Sequence, residues 1–179
     1  MKIAYIVGSL AVESYNRGLA KAIASLAPEG VEFVEIPIAD LPVYNRDYDG
    51  NWPESATAFK QAVIDADGIL LVSPEHNRMY SAAMANAIEW SSRPWGTAAL
   101  TGKPVAIAGT SPGAMGTALG QSHLRGPLNF FGCKLMAQPE GYFNATTMGI
   151  TPEGGFNEDA REFLAAYASA LVEHVRANA

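Results

Sequence analysis

Three short runs in this chain are apolar almost without interruption: Lys2–Val7 (KIAYIV), Gly68–Ser73 (GILLVS) and Lys103–Thr110 (KPVAIAGT). A strand with one wet face alternates apolar and polar residues, so runs without alternation read as strands buried on both faces. Such strands need helices on either side of a parallel sheet. The intervening segments supply them. Asn16–Ala27 carries Leu19, Ile23 and Leu26 at helical spacing before Pro28 and Gly30 stop it. Ser55–Ala66 presents Phe59, Val63 and Ala66 on one face, and Ala82–Ser92 is also helical. Met115–Phe131 reads as a helix that Gly126-Pro127 should kink or split. Asn157–Ala177 closes the chain, with Asn157 as N-cap and Phe163, Tyr167 and Leu171 at successive turns.

Two further strands complete the pattern. Val31–Ile36 (VEFVEI) alternates apolar and acidic residues and suits a sheet edge, and Cys133–Ala137 is a short last strand. The expectation is an α/β fold, one domain over residues 1–179, with a five-stranded parallel sheet of order 2-1-3-4-5 covered by helices on both faces. In such sheets ligands sit at the carboxyl ends of the strands, beside the switch point between strands one and three. That directs attention to the loops after Val7, Ser73 and Thr110.

Composition narrows the classes. With 12 Lys and Arg against 18 Asp and Glu the net charge is −6, which argues against a nucleic-acid binder. Cys133 is the lone cysteine, so no internal disulfide or cysteine metal cluster forms, and a reduced, cytoplasmic setting is expected. His76, His123 and His174 lack metal-ligand spacing, and no apolar run has the length a bilayer needs. Charge is uneven, however: from Trp90 to Pro139 there is no acid, only Arg93, Lys103, Arg125 and Lys134. Chance and burial are one reading of that, and a stretch that faces a bound anion, kept free of repulsion, is the alternative.

The first loop, Gly8–Asn16 (GSLAVESYN), matches neither GxGxxG nor GxxxxGK[ST]. Ser9, Ser14 and Asn16 lead into a helix N-terminus, where backbone N–H groups bind a monophosphate without lysine; Ser14 or Asn16 could equally serve only as helix cap. The second loop, Ser73–Ser81 (SPEHNRMYS), places the peptide groups of Glu75, His76 and Asn77 to meet the polar edge of a planar ring, or merely caps the next helix. The third, Gly109–Thr117 (GTSPGAMGT), matches the G-x-S-x-G nucleophile elbow of serine hydrolases, with Asp159 and His174 following in the right order. Against that stands Pro112. The residue after the nucleophile must lend its N–H to the oxyanion hole, and proline has none. Gly109, Gly113 and Gly116 suggest instead a backbone lying close to a flat ligand.

Together the loops resemble the NADPH-dependent FMN reductase family, the flavodoxin-like group that includes quinone, azo-dye and chromate reductases. Gly8, Ser9, Leu10, Ser14 and Asn16 match its GSLRxxSxN. LPVYNRD (Leu41–Asp47) is similar to its LPxYNxD. SPEHN, NAIEW and SRP (Ser73–Asn77, Asn86–Trp90, Ser92–Pro94) are similar to its TPEYN, NAIDW and SRP. GKPVAIAGTSPGAMG with Gln121 resembles its GKPVAxxxxSPGxxG…Q. The likeness spans nearly the whole chain and implies a flavodoxin-like three-layer sandwich and a non-covalent FMN. The resemblance places the phosphate on Ser9, Ser14 and Asn16. It places the ring between Pro74, Glu75, His76 and Asn77 on one side and Ser111, Gly113 and Gly116 on the other, with Tyr15 and Arg78 also among the cofactor-binding residues.

The implied activity is reduction of FMN by NADPH or NADH, then transfer to a quinone, flavin, azo compound or metal oxyanion, with no catalytic side chain because the cofactor carries the chemistry. A flavodoxin-type electron carrier is the alternative, and a Ser111 hydrolase a more distant one. The resemblance further implies a homodimer or homotetramer, with Asn86–Trp95 near the subunit contact; ordinary core is the other reading of Trp90 and Trp95. Departures fall at Ala11 and Leu119, where the family carries arginine, at Thr117, its usual second glycine, and at His76, its common tyrosine. Arg17, Arg78 or the acid-free stretch could supply the missing charge.

Overall fold

The computed structural model describes all 179 residues. β1 (Lys2–Val7) leads through the first loop into α1 (Tyr15–Ser25), and β2 (Glu32–Glu35) follows. A 3₁₀ turn at Arg46–Gly50 precedes α2 (Glu54–Ile64) and β3 (Gly68–Val72). A hairpin of β4 (Glu75–His76) and β5 (Met79–Tyr80) then leads to α3 (Ala82–Ser91) and β6 (Pro104–Ser111). α4 (Ala118–Phe130), β7 (Lys134–Leu135), β8 (Gly141–Asn144), a 3₁₀ turn at Glu158–Ala160 and α5 (Arg161–Asn178) complete the chain.

The parallel sheet runs β2-β1-β3-β6, with β7 and β8 both against β6. This is the flavodoxin-like order, and β2 is the expected edge. β1, β3 and β6 lie at the centre, each almost wholly buried. On one face Leu19 and Ile23 of α1 meet Leu164, Tyr167, Leu171 and Val175 of α5. On the other, Phe59 and Val63 of α2, Met84, Ile88 and Trp90 of α3, and Leu124 and Leu128 of α4 form the second core. Each large side chain so buried contributes about 1.5–3 kcal/mol of transfer free energy, which is why the apolar runs decide the sheet.

Four expectations need correction. The sheet has six strands, because its last position is filled twice. Pro104 pairs with Lys134, but Ala108 pairs with Gly141, so three extra residues are looped out between β7 and β8. Pro139 lies in that interruption and brings no N–H to the ladder, which cuts the expected Cys133–Ala137 strand to two residues. The helix expected over Met115–Phe131 starts at Ala118 and does not split at Gly126-Pro127: Pro127 falls in its last turn, where it costs the bond to His123 O but leaves almost no helix beyond it to break away. Asn157 makes no side-chain cap; its amide donates to Thr147 O instead. The second loop also contains a feature for which there was no expectation, the β4–β5 hairpin. No helix is long and apolar enough to cross a membrane.

Candidate active site

The three loops converge because two glycines let their backbones touch. A side chain at Gly8 would lie 2.6 Å from Ser81 Oγ, and one at Gly109 would lie 2.3 Å from Thr117 Oγ1 and 2.4 Å from the carbonyl oxygen of Ser73. Gly8 N–H donates to Val72 O (2.8 Å). The Ser73 hydroxyl accepts from Ser81 N–H (3.2 Å), closing the second loop at its base.

In the first loop Ser14 is the N-cap of α1, accepting from Arg17 N–H at 3.2 Å, and is 3% exposed. Asn16 does something sequence reasoning did not anticipate. β3 ends its pairing with β6 at Val72 and Ala108, and Ser73 N–H takes Ala108 O. Two residues further along β6, the N–H and C=O of Thr110 face the same side with no strand beyond β3 to meet them. Asn16 replaces that missing strand. Its Nδ2 donates to Thr110 O (3.0 Å) and its Oδ1 accepts from Thr110 N–H (2.9 Å), with the residue 6% exposed. The Asn16 amide thus ties the first loop to the third, and its side chain is already occupied; a ligand there would meet its backbone N–H.

That N–H belongs to a larger set. None of the backbone N–H groups from Ser9 to Asn16 has a protein partner. Arg17 lies behind them, with Nε on Glu35 Oε1 (3.0 Å), Nη1 on Ala11 O (3.1 Å) and Nη2 on Ser9 O (3.2 Å). Burial, reinforced by the nearby Glu35 carboxylate, pushes the Tyr5 phenol up from its ordinary range.

The second loop turns at Asn77 (φ 52°) and Arg78 (φ 70°), both left-handed, as a two-residue hairpin turn requires. Asparagine tolerates that region; arginine does not favour it and is held from both ends. Arg78 O accepts from His123 Nδ1 (3.0 Å), and its guanidinium pairs with Glu75 Oε1 at 3.2 Å. The Glu75 side chain is only 6% exposed, and its Oε2 accepts from Gly120 N–H (2.9 Å). Glu75 therefore caps α4 from another element, where helix polarity favours a carboxylate. Thr117, at the cap position itself, spends its hydroxyl on Gln121 Nε2.

In the third loop Ser111 Oγ donates to Gly116 O (2.8 Å) and accepts from Gly113 N–H (3.2 Å), so it folds the loop on itself. Asn144 at the end of β8 reaches across to Gly113 O (3.0 Å). This brace went unseen because the sixth strand was not anticipated. Loops two and three enclose a cavity of about 310 Å³ lined by Glu75, Asn77, Arg78, Ser111, Gly113 and Gly116, together with Ala114 and Met115. Six of the twelve expected site residues line it. Ser9, Ser14, Tyr15 and Asn16 lie in the first loop, Pro74 at the root of the second, and His76 on the exposed hairpin.

The hydrolase reading fails on geometry. His174 Nε2 is bonded to Lys134 O (2.7 Å), and Lys134 pairs with Pro104, at the opposite end of β6 from Ser111. Seven strand residues put them roughly 20 Å apart. The expectation that Asn86–Trp95 faces another subunit is also narrowed. Asn86 holds Tyr44 N–H (2.8 Å) and Pro42 O (3.0 Å), and fully buried Trp90 donates to Pro42 O (2.7 Å) amid Tyr44, Tyr48 and Trp52. These residues anchor the Leu41–Trp52 loop from inside, and of the segment's two tryptophans Trp95 is the one that faces out. The four bases of the acid-free stretch do not line the cavity either, and Lys103 is spent capping α2 through Ile64 O and Ala66 O.

Comparison with known proteins agrees with this architecture. The family model for NADPH-dependent FMN reductase matches residues 1–148. The chain is 47% identical over 177 residues to a 2-hydroxy-1,4-benzoquinone reductase of a Burkholderia species, covering 98% of this chain and 97% of that one. It is 38% identical to a quinone reductase of Pseudomonas putida, over 98% and 95% of the two chains. The solved structure of FerB, a flavoenzyme NAD(P)H:(acceptor) oxidoreductase from Paracoccus denitrificans, superposes with a TM-score of 0.90 at 36% identity, over 99% of this chain and 98% of that one. A flavodoxin of Bacillus cereus shares the fold alone, at 17% identity and a TM-score of 0.61. With the three loops, their spacing and the sheet order all in agreement, this chain belongs to the NADPH-dependent FMN reductase family.

Proposed function

We propose that this chain passes electrons from NADPH or NADH to a quinone by way of a non-covalent FMN held where the three loops meet. The observation that carries the reading is the run of unpaired N–H groups from Ser9 to Asn16 at the start of α1. Such a run, with the helix dipole behind it, holds a phosphomonoester without lysine. Ser9 and Ser14 would add hydroxyl donors, and Tyr15 and Asn16 their N–H groups. The cavity between the second and third loops suits a flat ring, since Gly113 and Gly116 present no side chain to it.

FMN, when bound, supplies the hydride and electron chemistry. The chain's own residues bind and orient it. Pro74, Glu75, His76, Asn77 and Arg78 would border one side and Ser111, Gly113 and Gly116 the other. The N–H groups of Asn77, Arg78, Ala114 and Met115 have no protein partner and are available to negative charge on a ring held there. Glu75 keeps the hairpin seated on α4 and takes no proton in this account. The names of the relatives support a quinone as acceptor. The neighbouring exposed rings of Trp95 and Phe130, 76% and 70% accessible, support a homodimer or homotetramer. The single, unpaired Cys133 fits a cytoplasmic location.

The test is direct. The purified protein should show flavin absorbance after dialysis or reconstitution with FMN, and should oxidise NAD(P)H with a benzoquinone and no partner reductase. A protein that takes up no FMN, or one that holds FMN yet leaves the nicotinamide unoxidised, ends the proposal.

A further inference from the structure

Arg17 sits where a cation is least at home. It is the third residue of α1, at the positive end of the helix, where basic side chains are disfavoured. Every guanidinium nitrogen is nonetheless engaged: Nε with Glu35, Nη1 with Ala11 O and Nη2 with Ser9 O. Glu35 ends β2 and is registered against Tyr5 of β1, so the anchor belongs to the sheet and not to a mobile surface. Its carboxylate also balances the guanidinium charge.

A trans peptide is planar, with its C=O and the following N–H on opposite sides. Drawing the carbonyls of Ser9 and Ala11 toward Arg17 therefore turns the N–H groups of Leu10 and Val12 to the other side of the loop. Both belong to the unpaired set that runs from Ser9 to Asn16. One arginine thus collects the acceptors of this loop on one side and leaves its donors on the other.

We propose that Arg17, anchored by Glu35, is a positioning residue that preforms the first loop as an anion cradle, acting on the backbone and not by touching the phosphate. This rests on the assignment of that loop to the phosphate of FMN. Orientation matters here more than charge. A lysine at position 17 would keep the charge but has no rigid fork to span two carbonyls and a carboxylate.

The experiment titrates apo-protein with FMN and with riboflavin, which has the same ring and no phosphate, following quenching of flavin fluorescence. Arg17→Ala should weaken FMN about tenfold, the worth of roughly one charge-assisted hydrogen bond, and leave riboflavin within about twofold. Arg17→Lys should lose nearly as much as Arg17→Ala, and Glu35→Gln, which frees the anchor alone, should fall between alanine and wild type. An unchanged preference for FMN over riboflavin in Arg17→Ala overturns the proposal. So does wild-type preference in Arg17→Lys, which would make the effect one of charge, and so does an equal loss for both flavins, which would make it general unfolding. If Arg17→Ala does not fold, an unchanged preference in Glu35→Gln overturns it instead. The phosphate assignment fails separately: wild-type protein that binds FMN and riboflavin equally would show that this loop holds no phosphate.

Discussion

Replacing Asn16 by alanine should be far more damaging than its place in a polar loop suggests. The Asn16 amide satisfies both Thr110 N–H and Thr110 O at 2.9 and 3.0 Å, in a position only 6% exposed. Alanine removes both bonds and leaves two main-chain groups of a central strand without partners. Each buried group so orphaned costs about 1–3 kcal/mol, and water reaching from the loop will recover some of that. The expected loss is about 2–4 kcal/mol, which for a chain of this size lowers Tm by about 5–15 °C. Urea denaturation of the apo-protein measures it free of ligand linkage. Asn16→Asp is the informative companion. It keeps an acceptor for Thr110 N–H but sets a carboxylate oxygen against Thr110 O, so it should not recover the loss. If Asn16→Ala unfolds within about 0.5 kcal/mol of wild type, the amide is not standing in for a strand and the account of the loop junction is wrong.

Trp90→Phe keeps an aromatic ring but removes one of the two donors to Pro42 O, leaving only Asn86 Nδ2, and should cost about 1 kcal/mol in urea denaturation; a cost near zero would mean that the Leu41–Trp52 loop is held by other contacts. Burial pushes the Cys133 thiol up to about 11, so thiol-directed alkylation at pH 8 should be slow in the folded protein. The unfolded thiol ionises near 8.5, so the folded state holds this proton more tightly; its contribution to stability is complete below that value and declines as pH rises toward 11. Over that range the stability difference between wild type and Cys133→Ala should drift in favour of the variant, and a constant difference would contradict the burial argument.

The layered fold was legible because apolar runs carry their own instruction: KIAYIV, GILLVS and KPVAIAGT can be satisfied only inside a covered sheet. The three loops followed from strand ends and switch-point logic, and Ser14 as cap from its place before the helix. What stayed hidden was long-range. Glu75 caps a helix 45 residues away, and Asn144 braces a loop from a strand whose pairing skips three residues. Neither leaves a local pattern. The motif residues Asn86 and Trp90 looked like an interface and proved to be an internal anchor, because a motif says that a position matters and not which way it faces.

The sequence by itself determined the three central strands, the edge strand and the helices that cover them, and pointed to the loops at the strand ends, since those depend on periodicity and on turn chemistry read over a few residues. Only the tertiary structure decided what each polar side chain of the site does. Asn16 could cap, bind or bridge until Thr110 was placed 94 positions along the chain and within 3.0 Å of it. Arg17 could face solvent or a ligand until Glu35, Ser9 and Ala11 closed around it. A hydrogen bond is a matter of tenths of an ångström between groups far apart in sequence, and only the packed sheet sets such distances.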